Sequence, residues 1–164
     1  MRLKADFRQF EKYAERLNML NNKHLRRFLE DVSRELAARL LGKVIPRTPT
    51  VTGTLKRGWT AKTHKDAESG GGESDYVKYA KSLPVRKQGS TYVITITNPV
   101  EYAPYVEFGH LQQPGRYVHA IRRRLVKCWV DGHLMLTKSE MELEGELDKI
   151  IEEKLGRFFE QLLK

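Results

Sequence analysis

Asn98-Pro99-Val100-Glu101-Tyr102-Ala103-Pro104-Tyr105-Val106-Glu107-Phe108-Gly109-His110 is the stretch on which the reading of this chain turns. It follows Tyr92 to Thr97, the clearest strand in the sequence, where Tyr92, Ile94 and Ile96 alternate with Val93, Thr95 and Thr97. Pro99 and Pro104 fix φ and remove two backbone donors, so the strand cannot run on through them. Pro104 suits the first turn of a short helix ending at Phe108, and Gly109 suits the position just past it. Tyr102, Tyr105, Glu107 and His110 are thereby expected at one sheet edge. Two readings compete. One is a packed corner, in which Tyr102 and Tyr105 anchor the turn to the sheet with their hydroxyls in water. The other is a chemical site built on Glu107 and His110.

The flanking elements set the fold class. Upstream, Phe7, Phe10, Ala14 and Leu17 predict an amphipathic helix. Leu25, Phe28, Leu29, Val32, Leu36 and Leu40 predict a second, capped by Asn21 or Asn22 and stopped near Gly42 or Val44 by Pro46 and Pro49. Arg26, Arg27, Arg34 and Arg39 line its polar side, with Glu30–Arg34 and Glu35–Arg39 spaced to pair. Trp59 to Thr63 reads as a short strand. Residues 64–78, with Ser69-Gly70-Gly71-Gly72, read as a flexible loop; the Gly-Lys-Ser/Thr of a phosphate cradle is missing. Tyr79–Arg86 and Thr91–Thr97 read as a hairpin around Lys87-Gln88-Gly89-Ser90.

Downstream, the basic segment 111–127 reads as a long exposed loop or a short helix. Asp131-Gly132-His133 then makes a turn between Cys128-Trp129-Val130 and Leu134-Met135-Leu136. The last helix starts at a capping box of Thr137 and Glu140, stapled by Leu136 and Met141. Its stripe is Leu143, Leu147, Ile150, Ile151, Leu155, Phe158 and Leu162. The expected class is α+β, a long N-terminal helical region and a C-terminal helix packed on a small antiparallel sheet, as one domain over residues 1–164.

Composition bounds the function. Hydrophobic residues make up 40% and charged residues 31%, a soluble globular mix, and no apolar run of about 18 residues suggests a membrane span. The start Met1-Arg2-Leu3-Lys4-Ala5-Asp6 lacks the apolar core of a signal peptide, so the expected compartment is the cytoplasm. Cys128 is the sole cysteine and excludes an internal disulfide. The net charge of +9 is uneven: residues 137–164 hold five Lys/Arg and eight Asp/Glu, a net of −3, leaving +12 on the rest. A basic body with an acidic helix suits nucleic acid, or head-to-tail pairing with a second copy.

Neither metal nor covalent chemistry is well framed. Glu107 and His110 have Glu-x-x-His spacing, but carboxylate-bridged iron sites need two such pairs on long helices and further glutamates. Cys128 and His133 would need two more zinc ligands from scattered positions such as His110 and His119. Cys128, between Lys127 and Trp129, reads as a buried small hydrophobe rather than a thiolate nucleophile. No catalytic residue, metal or cofactor is assigned. Nucleic-acid binding is the stronger alternative: Arg116, Arg122, Arg123, Arg124 and Lys127, near Tyr117, are suited to phosphates or to an acidic partner surface.

Three ordered signatures resemble the phage tail-component family, the tail-completion or head–tail joining proteins of long-tailed phages and prophages. Pro49-Thr50-Val51-Thr52-Gly53-Thr54-Leu55 is similar to the family's Pro-x-x-Thr-Gly-x-Leu turn. Tyr102 to His110 resembles its Tyr-Ala-x-Tyr-Val-Glu-x-Gly signature. Trp129-Val130-Asp131-Gly132-His133-Leu134-Met135-Leu136 resembles its closing Trp-Val-x-Gly-x-x-Met-Leu. The likeness runs from about residue 10 to the end, and segments 64–78 and 111–127 depart from the compact pattern. It implies a structural virion protein of the head–tail interface, assembled in the host cytoplasm and not an enzyme. Its implied partners are copies of itself in a ring, usually pictured as a hexamer, the head connector, and the tail tube or terminator, with DNA passing through the lumen. Gly53, Leu55, Tyr102, Tyr105, Glu107, Gly109, Trp129 and Gly132 are the assembly or structural signature residues it implies. A DNA-binding accessory protein is the alternative.

Overall fold

The computed structural model describes residues 2–5, 22–119 and 122–162. The amphipathic helix expected from Phe7 to Leu17 lies outside them. The central element is helix α1, Asn22–Arg47. Its inward face buries Leu29, Val32, Leu36, Leu40, Leu41 and Val44. Burying each such side chain is worth about 1.5–3 kcal/mol relative to leaving it exposed, so this one face holds much of the driving force for folding. α1 runs one turn beyond the expected stop and takes Pro46 inside its last turn. Pro46 has no N–H to give, but the end is closed next door: Thr48 donates to Val44 O from both its N–H (3.0 Å) and its Oγ1 (2.7 Å).

The main sheet is antiparallel, with β3 (Thr91–Thr95) between β1 (Arg2–Ala5) and β2 (Arg86–Gln88). The expected α+β class is present, with Tyr92, Ile94 and Ile96 buried in the common core. β2 and β3 form the expected hairpin through Gly89-Ser90, in the register Gln88↔Thr91. Its first arm is not the expected Tyr79–Arg86: Tyr76–Ser82 is helix α4, and the arm is Arg86–Gln88, two residues of which were expected in the turn. β1, paired Leu3↔Ile94, gave no sequence signal: four residues are too few for a period, and pairing fixes their state.

Three further expectations are corrected. Trp59 to Thr63 is no strand: α2, Thr54–Gly58, ends in Trp59, whose buried indole Nε1 donates to Thr48 Oγ1 at 2.8 Å. The segment 64–78 holds helix α3, His64–Glu68, and the start of α4 rather than an unstructured loop. Each begins at a side-chain cap, Thr63 Oγ1 accepting from Asp66 N and Asp75 Oδ1 from Val77 N and Lys78 N. They escape periodicity because what they bury completely is small, Ala67 and Ala80. Cys128 is exposed, not buried.

The last helix, α6, spans Met135–Leu162 and packs on α1. The expected stripe is used as far as Phe158, the side chain of Leu162 lying outside the description: Leu143 and Ile150 are buried, Leu147, Ile151 and Leu155 are partly buried, and Phe158 stacks on Phe28 at 4.4 Å. Charges cross the same seam. Lys43 pairs with Glu142 (2.7 Å) and Glu146 (2.8 Å), Arg47 with Glu142, and Lys154 with Glu35. Part of the acidic charge of α6 is therefore spent inside the chain. On α1, Glu35 and Arg39 pair as expected, but Glu30 takes Arg26 and Arg34 takes Asp31.

Candidate assembly site around the Glu107 turn

The turn after β3 behaves as its residues dictate. α5 spans Ala103–Phe108 with Pro104 in its first turn, and Gly109 ends it at φ 85°. From Gly109 the chain enters β4, Gly109–Leu111, which pairs antiparallel with β7, Trp129–Asp131. That pairing sets the second and third signatures side by side, Gly109 opposite Asp131 and Leu111 opposite Trp129. The approach is very close. A Cβ on Gly132 would stand 2.2 Å from Glu107 O, and one on Gly109 would stand 2.4 Å from Val130 O. Only hydrogen fits at either position.

Glu107 lies at the centre and is 5% exposed. Its Oε2 accepts from Leu136 N (2.9 Å), and its Oε1 accepts from Thr137 N (2.8 Å) and Thr137 Oγ1 (2.8 Å). Those amides are orphan donors of the first turn of α6. A carboxylate from a distant part of the chain thus caps the longest helix, where the helix dipole favours negative charge. The backbone adds two bonds in the same place, His133 N to Val106 O at 2.8 Å and Leu134 N to Glu107 O at 3.0 Å. The expected capping box is therefore corrected. Thr137 sits inside the first turn and donates to Glu107 instead of capping, and Met141 is exposed rather than stapled to Leu136. Burial, and then the nearby Glu107 carboxylate, pushes the Glu140 carboxyl above its usual range.

The first signature joins the same junction. Gly53 is left-handed (φ 80°) and precedes α2, where Leu55 is buried. Leu55 O accepts from Asn98 Nδ2 at 2.8 Å, while Asn98 Oδ1 accepts from Val100 N at 3.2 Å. Asn98 therefore ties the first signature to the strand exit leading into the second. Trp59, Ala103, Glu107 and Met135 line one apolar cleft of about 140 Å³ at the meeting point. No sequence pattern marks Thr48 or Trp59 as part of this junction. An amide immediately before Pro99 was the available signal for Asn98, since asparagine readily bonds to backbone two residues on.

Tyr102 and Tyr105 depart from the anchoring role expected of them. Both are exposed, Tyr102 edge-on to His64 (6.3 Å) and Tyr105 edge-on to His110 (6.1 Å). Trp129 is also exposed, as are Phe108 and Leu111, so the outward side of the junction is apolar. Segment 111–127 is neither a helix nor an irregular loop throughout: β5, Tyr117–Val118, pairs with β6, Arg123–Arg124. Arg116, Arg122, Arg123, Arg124 and Lys127 are all exposed there. Among the described residues no three His, Cys, Asp or Glu side chains come together to hold a metal ion, and no helix is long and apolar enough to cross a membrane.

No curated protein and no solved structure matches this chain at significance. A family model does, over residues 8–109, with the description "Bacteriophage HK97-gp10, putative tail-component". The matched span contains the first signature and the second as far as Gly109, so His110 and the closing signature at Trp129–Leu136 lie beyond it. More than half of the chain being matched, the protein belongs to the HK97-gp10-like phage tail-component family.

Proposed function

We propose that this chain is a non-enzymatic structural protein of the phage head–tail joint, a tail-completion or neck component. It works by contacts. Copies close into a ring, bridge the head connector to the tail tube or its terminator, and leave a lumen for DNA. The protein is made and assembled in the host cytoplasm and ends in the virion.

The observation that carries this reading is how the Glu107 junction spends its polar groups. In a general acid or base, a buried carboxylate must face a reacting group. Here the three hydrogen bonds of Glu107 all go to the first turn of α6, which is the use expected of an architectural residue. The elements around it bear Tyr105, Phe108, Leu111 and Trp129 as exposed large hydrophobic side chains, Leu111 and Trp129 paired across β4 and β7, a surface suited to a protein partner. Disruption of the gene in its phage or prophage, followed by electron microscopy of lysates, tests the reading. Separated heads and tails are expected. Normal, infectious particles would refute it.

A further inference from the structure

Between Glu107 and Asp131 the chain contains no acidic residue, yet it carries Arg116, Arg122, Arg123, Arg124 and Lys127. The fold makes this stretch one arm. β4 and β7 form its base, Gln112 N donates to Cys128 O (2.8 Å), Gly115 N to Leu125 O (2.8 Å) and Leu125 N to Arg116 O (2.9 Å), and β5–β6 complete it. At about 3.3 Å per paired residue the arm reaches roughly 25–30 Å. None of its five cations forms an ion pair with a described carboxylate, and the Arg124 guanidinium donates to Gly115 O at 2.7 Å. Like charges crowded on a narrow ribbon repel one another until something acidic covers them.

A matching surface lies on α6. Glu144, Asp148 and Glu152 recur every fourth residue, so they share one face of the helix. They are exposed and, unlike Glu142 and Glu146, form no ion pair among the described residues. Met141, 67% exposed, continues that face toward the helix start. The arm has apolar counterparts in Leu111 (78% exposed) and Val126 (86%).

We propose that the arm of one copy docks along this acidic face of α6 in a second copy. The proposal rests on the reading of the chain as a self-assembling structural protein and names the contact by which it assembles. Arginines meet the three carboxylates, and Leu111 and Val126 cover Met141. Phosphates on a nucleic acid would satisfy the arginines equally but would leave those apolar side chains in water, which is why the second copy is favoured. The two surfaces differ and lie on different elements, so the contact is head-to-tail and propagates until a ring closes.

Sedimentation velocity on the full chain tests this, with circular dichroism to verify folding. The wild type is expected to form oligomers that dissociate as salt rises. Arg122→Gln/Arg123→Gln/Arg124→Gln and Glu144→Gln/Asp148→Asn/Glu152→Gln should each weaken self-association by about tenfold or more. Mixing the two variants should yield a 1:1 dimer, since one intact arm and one intact helix face remain in the pair. A wild type monomeric at all salts and concentrations, variants that assemble like the wild type, or a mixture that stays monomeric overturns the proposal. So does an arginine variant that loses affinity for duplex DNA while its self-association is unchanged. The head–tail reading fails separately, on joined infectious particles in the gene disruption, whatever the sedimentation result.

Discussion

Glu107→Ala removes the cap that ties the two halves of the junction together. Three donors lose their acceptor, two of them backbone amides at the start of a long helix. Hydrogen bonds to a charged group are worth about 1.5–3 kcal/mol each, and a buried donor left unpaired costs about 1–3 kcal/mol. These contributions overlap, because water can enter at the half-buried Thr137 and the same three bonds are counted from both ends. A net loss of about 3–5 kcal/mol is therefore expected. At about 2–4 °C per kcal/mol for a chain of this size, Tm should fall on the order of 10 °C. Glu107→Gln retains one acceptor oxygen and should lose about half as much. Glu101→Ala, at an exposed position in the same turn, should stay within about 0.5 kcal/mol. Urea denaturation gives the free energies, and amide exchange locates them: Leu136 and Thr137 should lose protection ahead of the middle of α6. A loss below about 1 kcal/mol for Glu107→Ala, or unchanged exchange at those two amides, would refute the cap.

Three further outcomes follow from the same geometry. Gly109→Ala and Gly132→Ala each place a methyl within 2.4 Å of a carbonyl oxygen, at Val130 and Glu107 respectively, and should cost about 2–4 kcal/mol in urea denaturation. Gly156→Ala adds a methyl where nothing lies within 4 Å on the exposed side of α6, and should stabilise by about 0.5–1 kcal/mol in the same assay. The hydrogen bonds from Lys43 and then Arg47 hold the Glu142 carboxyl at about 2, below its ordinary 4.5. A folded-state pKa that is lowered contributes stability above the ordinary value and loses it as pH falls through the folded one. Acid titration of stability should therefore show a gap between wild type and Glu142→Gln that is full at neutral pH, shrinks below about pH 4.5 and closes near pH 2.

Much of this molecule is legible in one dimension because its largest elements are written as periods. Leu29, Val32, Leu36 and Leu40 mark α1, and Leu143, Leu147 and Ile150 mark α6, since a helix two dozen residues long must repeat its buried stripe. The alternation in β3 and the Pro104-to-Gly109 helical turn rest on equally local rules and appear where those rules place them, while the hairpin keeps its second strand but takes Arg86–Gln88 as its first. So does the family, because its signatures are turn residues whose φ or close packing admits few alternatives.

What the tertiary structure alone decided is which polar groups meet. Sequence supplied Thr137 and Glu140 as a local capping box, but an acceptor from thirty residues upstream was better placed, and Glu107 took the helix end. The caps at Thr63 and Asp75 fix short helices whose deepest side chains are alanines, too small to leave an apolar pattern. β1 exists because β3 offers it an edge, and Cys128 is exposed because it lies in the two-stranded arm, where its carbonyl accepts from Gln112 N, rather than in the core. Pattern records what a segment buries; it carries no record of a partner brought near by the rest of the fold. Gly109 and Gly132 each stand out in the sequence as turn residues, and only their packing together explains why neither can bear a side chain.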